Sequence, residues 1–217
     1  MAETAAAELH QMIMTGLLPP GSHLRLADLT EALDMSAMPV REGLRRLEAL
    51  GLVEIVPHKG AWVRGVSLDD LLDTHRTRLA LEALAVRTAA ERFTAHDAET
   101  ARHALDEHAR LAVIDDPLAA RHAHTTFHFT LYRASGSRWL PRAIKPVWEN
   151  SERYRFATRP TPESLDRSRA EHQAILDACV AHDPDAAVAA LTRHLDNALR
   201  RIRESMSTRL TTPVGHR

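Results

Sequence analysis

Apolar residues recur at every third or fourth position over much of the first 50 residues, a spacing typical of helices that bury one face. Gly16 and the Leu18-Pro19-Pro20-Gly21 segment interrupt this pattern as a turn. The spacing predicts helices over residues 3–15, over 26–34 and onward from Ser36, with a short strand at 23–25.

The stretch that begins at Ser36 has an apolar face and a basic face. Its apolar stripe consists of Val40, Leu44 and Leu47. Ser36 is predicted to cap the helix through its hydroxyl, and Pro39 falls in the first turn, where a missing N–H costs nothing. Arg41 and Arg45 lie four residues apart, so both project outward from the other face. Such a helix suits the DNA major groove, where arginine bridges two acceptors of guanine; the alternative is a solvated face with two ordinary arginines.

Two short β-prone runs follow at 52–56 and 61–64, on either side of a turn with Pro and Gly. They predict a β-hairpin. The helix over 26–34, the tight turn at Asp34-Met35 and the helix from Ser36 make a helix-turn-helix, and a hairpin directly behind it is a wing. The hairpin tip carries His58 and Lys59, which are predicted to contact phosphates or the minor groove, and Gly60 lets the backbone approach closely. The alternative is an exposed turn without a partner.

The rest of the chain is helical almost to its end. Ser67 is a predicted N-cap, and Asp69 and Asp70 suit the positive end of the helix that follows. Six amphipathic helices are predicted near 68–92, 95–113, 117–134, 137–156, 163–181 and 184–206. Helices of this length with short loops between them indicate an antiparallel bundle.

The predicted fold class is therefore mainly α. Residues 1–66 form a winged helix-turn-helix DNA-binding domain with a small β-hairpin wing, and residues 67–207 form an antiparallel all-α bundle. Residues 208–217 are predicted to be a disordered tail.

Composition and charge add constraints on partners and compartment. The formal net charge is −1, and residues 1–66 carry eight acidic and six basic side chains, so DNA binding has to rest on the local placement of charge. The single cysteine, Cys179, excludes an intramolecular disulfide and fits a reducing compartment. No apolar run reaches membrane-spanning length and the N-terminus lacks the core of a signal peptide, so a cytoplasmic protein without a membrane partner is expected.

Histidine is the candidate chemistry of the predicted bundle. His124 and His128 lie four residues apart on one helix, while His172 and His194 lie on or beside the apolar sides of two later helices. Three helices that supply four imidazoles would suit a divalent metal such as Zn²⁺ or Ni²⁺. Because the chain has 14 histidines, the alternative is a set of ordinary hydrogen-bonded core residues.

Four motifs stand out in residues 5–66: Pro20-Gly21, Ser36-x-x-Pro39-Val40-Arg41-Glu42-x-Leu44, Leu50-Gly51-Leu52-Val53 and Gly60-x-x-Val63. With these motifs the region resembles the GntR family of bacterial transcription regulators. The resemblance implies a winged helix-turn-helix that binds a double-stranded, palindromic DNA operator as a homodimer. The residues predicted to contact DNA are Ser36, Arg41, Arg45, His58, Lys59 and Gly60.

Three positions depart from the family's usual residues. Ala37 stands where the family usually has an arginine that reads bases, so the operator is expected to differ there. Asp34 stands where the family has glycine, and Asp tolerates the left-handed conformation of such a turn. Gly43 stands where the family has alanine, and a glycine inside a helix costs about 0.5–1 kcal/mol.

A second set of motifs lies in the bundle: Arg78-x-x-Leu81-Glu82, Phe127-His128, Glu171-His172 and His194. They resemble the FCD effector domain of the FadR subfamily, many members of which hold a divalent metal with one Asp and three His. The three His match here, and His124 replaces the Asp. The resemblance thus implies a metal, Zn or Ni, on four imidazoles, and a small organic acid as effector.

Arg78 is the predicted partner of the carboxylate of such an acid, because a guanidinium can clamp a carboxylate with two hydrogen bonds. The alternative is an i, i+4 pair with Glu82. Arg76, Arg133, Arg153 and Arg155 are assigned to the surface or to an interface.

Taken together, these features predict a ligand-responsive transcription regulator and not an enzyme. One alternative is a direct metal sensor without an organic effector. Another is a metal-dependent hydrolase with catalytic histidines. The hydrolase lacks an evident general base, because Glu171 is expected to point to a different side of the helix from the histidines.

Overall fold

Six elements form the N-terminal part of the fold. The computed structural model describes residues 1–114, 116–156 and 162–211. The first elements are α1 (Ala2–Met14), β1 (His23–Leu24), α2 (Leu26–Leu33), α3 (Ala37–Ala49), β2 (Val53–Val56) and β3 (Gly60–Val63). Their order and type confirm the predicted winged helix-turn-helix fold.

The three strands form one antiparallel sheet in the order β1-β3-β2. His23 pairs with Trp62 across β1 and β3, and Val53 pairs with Val63 across β2 and β3. The β2–β3 hairpin is the predicted wing, and the short first strand completes the sheet along its β3 edge.

One apolar core joins the helices and the sheet of this part. Its buried members are Leu9, Ile13, Met14, Leu24, Leu29, Val40, Leu44, Leu47, Leu52, Val53, Ala61 and Val63. Each large side chain buried in this way stabilises the fold by roughly 1.5–3 kcal/mol. Because α3 contributes Val40, Leu44 and Leu47 to this core, the opposite face of α3 is held toward solvent.

Asp34 makes the turn between α2 and α3. Its backbone is left-handed, with φ 50° and ψ 46°, and its N–H donates to the carbonyl oxygen of Glu31. A short polar side chain tolerates this conformation at moderate cost. The substitution of Asp for glycine therefore leaves the turn in place, as predicted.

Six longer helices make up the rest of the described chain: α4 (Leu68–Ala90), α5 (Ala95–Val113), α6 (Pro117–Ala134), α7 (Leu140–Phe156), α8 (Pro162–Val180) and α9 (Pro184–Thr211). The first of them starts at its predicted cap, and the second starts at a cap that was not predicted. Ser67 Oγ accepts the N–H of Asp70 at 3.1 Å, and Thr94 forms a capping box with Asp97. Within the described ranges, no helix is both long and apolar enough to cross a membrane.

Two helix ends differ from the predictions. α7 begins at Leu140 rather than near 137, and Ser137 Oγ accepts the N–H groups of Trp139 and Leu140 just before its first turn. α9 runs to Thr211 rather than ending near 206, since no proline or glycine interrupts the sequence before Pro213. Residues 212–217 of the predicted tail, and 159–161 of the predicted break, lie outside the described residues.

The Cα positions divide the chain into two compact units. The first unit contains Met1–His75, Lys145–Thr158 and Ile202–Arg217, and the second contains Arg76–Ile144 and Arg159–Arg201. The beginning of α4 and the ends of α7 and α9 therefore group with the winged helix-turn-helix. The domain limits proposed from the sequence stay predictions.

Arg153 is buried within the first unit, whereas the prediction assigned it to the surface or to an interface. Its guanidinium donates to the carbonyl oxygens of Arg64 and Gly65 and to the carboxylate of Asp70. Tyr154 donates to the same carboxylate at 2.6 Å. The C-terminal part of α7 thus holds the segment that joins the wing to α4, a role that no local pattern indicates.

Candidate functional site

The outward face of α3 carries both arginines that were predicted to read DNA. Arg41 and Arg45 are exposed. Arg45 donates to Glu42 Oε1 at 2.8 Å, and the two side chains are 69% and 44% exposed. An ion pair so open to water is worth about 0–1 kcal/mol, so Arg45 can exchange Glu42 for a group on DNA at little cost.

Gly43 has a packing role that the helical pattern did not indicate. A Cβ at this position would lie 3.0 Å from the backbone nitrogen of Ala6 and 3.3 Å from the Cβ of Ala5. α1 therefore packs against bare backbone on α3. The glycine counted above as a cost to the helix is what allows this close approach.

Ser36 occupies the N-cap position of α3 with an extended backbone, as predicted. Its side chain makes no capping hydrogen bond, contrary to the prediction. The first turn of α3 lies at the surface, where water can satisfy its N–H groups. The exposed hydroxyl stands at the positive end of the helix, a place suited to a phosphate oxygen.

The tip of the wing presents His58 and Lys59 to solvent. His58 is left-handed, with φ 61°, and Gly60 has φ 119°. A Cβ on Gly60 would lie 2.7 Å from Nε2 of His23. The positive φ of Gly60 therefore favours glycine, and a side chain there would also displace the ring of His23.

Four buried histidines meet inside the second unit. His124 and His128 come from α6, His172 from α8 and His194 from α9. One ring nitrogen of each lies within 4.8 Å of those of the other three. The Nε2 atoms of His128 and His172 are 3.1 Å apart. We call these four residues the histidine cluster; packing of three helices brings together the set that the sequence singled out.

Two polar side chains outside the histidine cluster orient two of its rings. Glu171 Oε2 lies 2.9 Å from Nδ1 of His194, and the Tyr132 hydroxyl lies 3.3 Å from Nδ1 of His128. With their Nδ1 atoms engaged, both rings are left with Nε2 for the cluster. Outer contacts of this kind fix the tautomer and the direction of metal-binding histidines.

Glu171 lies against the outer ring nitrogen of His194, a contact that its predicted place on a different side of the helix did not indicate. Asn197 and Arg201 also donate to its carboxylate. Burial raises the pKa of Glu171, but hydrogen bonds from His194 and Arg201 outweigh that effect and hold the pKa at about 2. The prediction considered α8 alone, whereas His194 reaches this carboxylate from α9.

The donor set fits a borderline divalent metal. Zn–N bonds of about 2.0–2.1 Å place two nitrogens of a tetrahedral site roughly 3.4 Å apart. The cluster's nitrogens, 3.1 Å apart for one pair and within 4.8 Å throughout, are close to that spacing. Imidazole is a ligand that suits Zn²⁺, Ni²⁺ and neighbouring ions. Among the residues that the structure describes, no other group of three or more His, Cys, Asp or Glu side chains lies close enough together to hold one metal ion.

Arg78 is buried on α4 and pairs with Glu82, which is the alternative considered above. Its Nε donates to Glu82 Oε1 at 2.6 Å and its Nη2 donates to Oε2 at 3.3 Å. Tyr132 donates to the same carboxylate at 2.6 Å. Burial and the charge of Glu82 raise the pKa of Tyr132 well above its usual value, so the hydroxyl stays protonated. A chain of polar contacts thus runs from Arg78 through Glu82 and Tyr132 to His128.

His108 is a neighbour of the histidine cluster that sequence reasoning missed. Its ring centroid lies 5.3 Å from that of His124 and 6.3 Å from that of His172. Its Nδ1 lies 2.9 Å from the carbonyl oxygen of Ala120. The i, i+4 spacing from His128 could have indicated Tyr132, but no local signal marks His108, because it reaches the cluster from α5.

Two family models match the sequence, one in each part of the chain. Residues 1–63 match the family model described as bacterial regulatory proteins, gntR family, and residues 73–197 match the FCD domain. The chain belongs to the GntR family. It is a DNA-binding transcriptional regulator with an FCD domain, and its relatives are regulators rather than enzymes, which excludes the hydrolase alternative.

Relatives are similar over most of their length. The HTH-type transcriptional regulator BphR of Paraburkholderia xenovorans (strain LB400) is 30% identical over 94% of this chain and 86% of that protein. The "Probable D-xylose utilization operon transcriptional repressor" of Paenarthrobacter nicotinovorans is 34% identical over 88% of this chain and 86% of that protein. The solved structure of E. coli McbR/YncC has the same fold, with a TM-score of 0.81 and 23% identity over 94% of this chain and 98% of that one.

Proposed function

We propose that this regulator binds a palindromic operator as a homodimer and responds to a small organic acid through a divalent metal held by the histidine cluster. The observation that carries the proposal is the burial of four imidazoles within reach of one ion, in a chain that also has an exposed reading helix. We also propose that the protein is cytoplasmic, because operator DNA is found there.

The DNA-binding half of the proposal rests on α3 and the wing. Arg41 and Arg45 read bases in the major groove. The contacts to the DNA backbone that position the protein come from Ser36, His58, Lys59 and Gly60. One short helix makes few contacts. Two copies that bind half-sites about one helical turn apart therefore supply the affinity together.

Replacement of Arg41 tests this half. In an operator selected by the full-length protein from random duplex DNA, we expect Arg41→Ala to lose about tenfold or more in affinity, because a bidentate contact to guanine is worth about 1–3 kcal/mol. The matched control is Arg102→Ala, an exposed arginine on α5, which is expected to bind like the wild type. Equal affinity of Arg41→Ala and wild type would exclude α3 as the reading helix.

The effector half follows from charge. Imidazoles bind a metal in their neutral form, so a divalent ion would bring its full charge into the bundle, offset in part by the ionised Glu171. Zn²⁺ and Ni²⁺ are the proposed ions. A metal there would keep a Lewis-acidic position for an anionic ligand only if its coordination number exceeded the four imidazoles, as in five-coordinate Zn²⁺ or six-coordinate Ni²⁺. A carboxylate of a small acid is the proposed ligand of that position.

Elemental analysis of the purified protein tests the metal. We expect about one divalent ion per chain in the wild type and its loss in His128→Ala, with a lower melting temperature after chelation. The control is His103→Ala, an exposed histidine on α5, which is expected to keep the ion. The proposal fails if His128→Ala and wild type carry the same amount of metal.

Arg78 is proposed as a second contact of the acid's carboxylate, through a guanidinium that it would share with Glu82. Arg78→Lys keeps the charge but cannot bind two oxygens in the same plane. We expect the operator affinity of this variant to respond less to an acid that shifts the wild type, at unchanged metal content. If the variant responds to the acid as the wild type does, Arg78 only holds Glu82, which accepts the hydrogen bond of Tyr132.

A second candidate is a regulator that senses the metal alone. Complete burial of all four imidazoles and the pairing of Arg78 with Glu82 favour it. Gel-shift titrations with Zn²⁺, Ni²⁺ and a panel of organic acids separate the two, because only the first proposal predicts a response to an acid at constant metal. D-xylose, taken from the name of the Paenarthrobacter relative, is titrated beside the acids as a neutral sugar to which neither proposal predicts a response.

A further inference from the structure

Met38 is a large apolar side chain exposed on the first turn of α3. It is 71% exposed, whereas Met35 just before the helix packs against the core. Ala37 beside it is also exposed. The turn with which the reading helix begins therefore offers apolar groups to solvent, next to the hydroxyl of Ser36.

Met38 lies in line with the two reading arginines. Met38, Arg41 and Arg45 are spaced by three and four residues, so they share one face of α3. A rise of 1.5 Å per residue puts Met38 about 4.5 Å along the axis from Arg41 and roughly 10.5 Å from Arg45. Bases are stacked about 3.4 Å apart, so the first of these separations corresponds to one or two base pairs.

The chemistry of Met38 and Ala37 restricts what they can read. Neither side chain offers a strong hydrogen-bond donor or acceptor. The apolar feature of base edges in the major groove is the C5-methyl group of thymine. We infer that Met38, with Ala37 beside it, contacts a thymine methyl in each half-site, one or two base pairs from the guanine read by Arg41. This inference rests on the proposed function, in which α3 is the reading helix.

Uracil in place of thymine tests the contact, because it removes only the methyl group. The full-length protein first selects its operator from random duplex DNA. Each thymine of the selected half-site is then replaced by deoxyuridine, one at a time, and affinity is measured by fluorescence anisotropy. We expect one thymine near the Arg41 guanine at which the replacement weakens binding by about fourfold, the value of one buried methyl group.

The variants assign that methyl to Met38. Met38→Ala is expected to bind the thymine and uracil operators with more nearly equal affinity than the wild type does. Leu17→Ala removes another exposed large apolar side chain of the first unit, one that is not part of α3, and is expected to keep the fourfold preference.

Two results would overturn the inference while leaving the proposed function in place. The first is a selected operator in which every uracil replacement is neutral. The second is a preference for thymine that Met38→Ala retains in full. Failure of the proposed function looks different: Arg41→Ala would then bind the selected operator as tightly as the wild type.

Discussion

Residues with special backbone demands shape the surroundings of α3, the proposed reading helix. Asp34 turns the chain between α2 and α3 in a left-handed conformation, and Gly43 admits α1 to the back of α3. The left-handed backbone at position 34 favours glycine, but the chain has Asp34 there. Helix propensity at position 43 favours alanine, but the chain has Gly43 there. Both can be tested by single substitutions.

Gly43→Ala is expected to destabilise the first unit by about 1 kcal/mol. Alanine gains about 1 kcal/mol in helix propensity, but a methyl group 3.0 Å from the backbone of Ala6 overpacks the α1–α3 contact, which costs about 1–3 kcal/mol. Urea unfolding followed by circular dichroism measures the change. Gly65→Ala is the control, since no atom would lie within 4 Å of its new Cβ. A more stable Gly43→Ala would show that α1 moves away without loss.

Asp34→Gly is expected to stabilise the same unit by about 0.5 kcal/mol, because glycine adopts φ near 50° without the clash of a Cβ. Asp34→Ala is expected to act in the opposite direction by about 1 kcal/mol, since alanine keeps the Cβ and loses the polar group. Denaturation of both variants in urea checks the order. An Asp34→Gly protein less stable than Asp34→Ala would contradict this account of the turn.

The end of α7 stabilises the start of α4 and the segment before it. The last part of α7 supplies Arg153 and Tyr154, which hold Asp70 at the start of α4 and the backbone after the wing. Burial raises the pKa of Asp70, but hydrogen bonds from Tyr154 and Asn150 and the charge of Arg153 lower it below its usual value. Burial and the bond to Asp70 raise the pKa of Tyr154 to about 12.

These shifts predict how pH acts on the first unit. A lowered carboxyl pKa stabilises the fold above about pH 4, and that contribution is lost as the pH falls through the folded-state pKa. A raised phenol pKa stabilises the fold below about pH 10, and that contribution is lost as the pH rises toward 12. Tyr154→Phe is expected to cost about 1–2 kcal/mol at neutral pH and to flatten both slopes.

Unfolding of wild type and Tyr154→Phe at a series of pH values measures this effect. The control places Tyr154→Phe in an Asp70→Asn background, in which the carboxyl group is missing and the substitution is expected to leave the acid slope unchanged. Identical acid slopes for Tyr154→Phe and wild type would show that Asp70 does not depend on the phenol.

At the scale of the whole molecule, the chain carries one thiol that reports on the second unit. Cys179 lies fully buried on α8, and burial raises its pKa to about 12. Only the thiolate reacts, so at pH 8 a thiol reagent should modify the folded protein roughly a thousandfold more slowly than the urea-unfolded one. Absorbance with a disulfide reagent measures both rates. Comparable rates would mean that α8 opens readily in the native protein.

Local order along the chain determined much of this protein before any packing was known. The periodicity around Val40 and Leu47, the turn at Asp34 and the cap at Ser67 depend on residues within one helical turn, so the winged helix-turn-helix and the helices could be predicted. The histidine pair of α6 was also visible, because side chains four apart share a face whatever surrounds them.

Tertiary structure alone decided the contacts between distant segments. Glu171 faces His194, His108 lies beside His124, and Arg153 holds the backbone after the wing, although each pair is far apart in sequence. Such contacts depend on which helix faces meet, and helical spacing within one segment carries no information about its neighbours. The sequence therefore determined which side chains share a face, and the packing of helices decided which of those faces became a site.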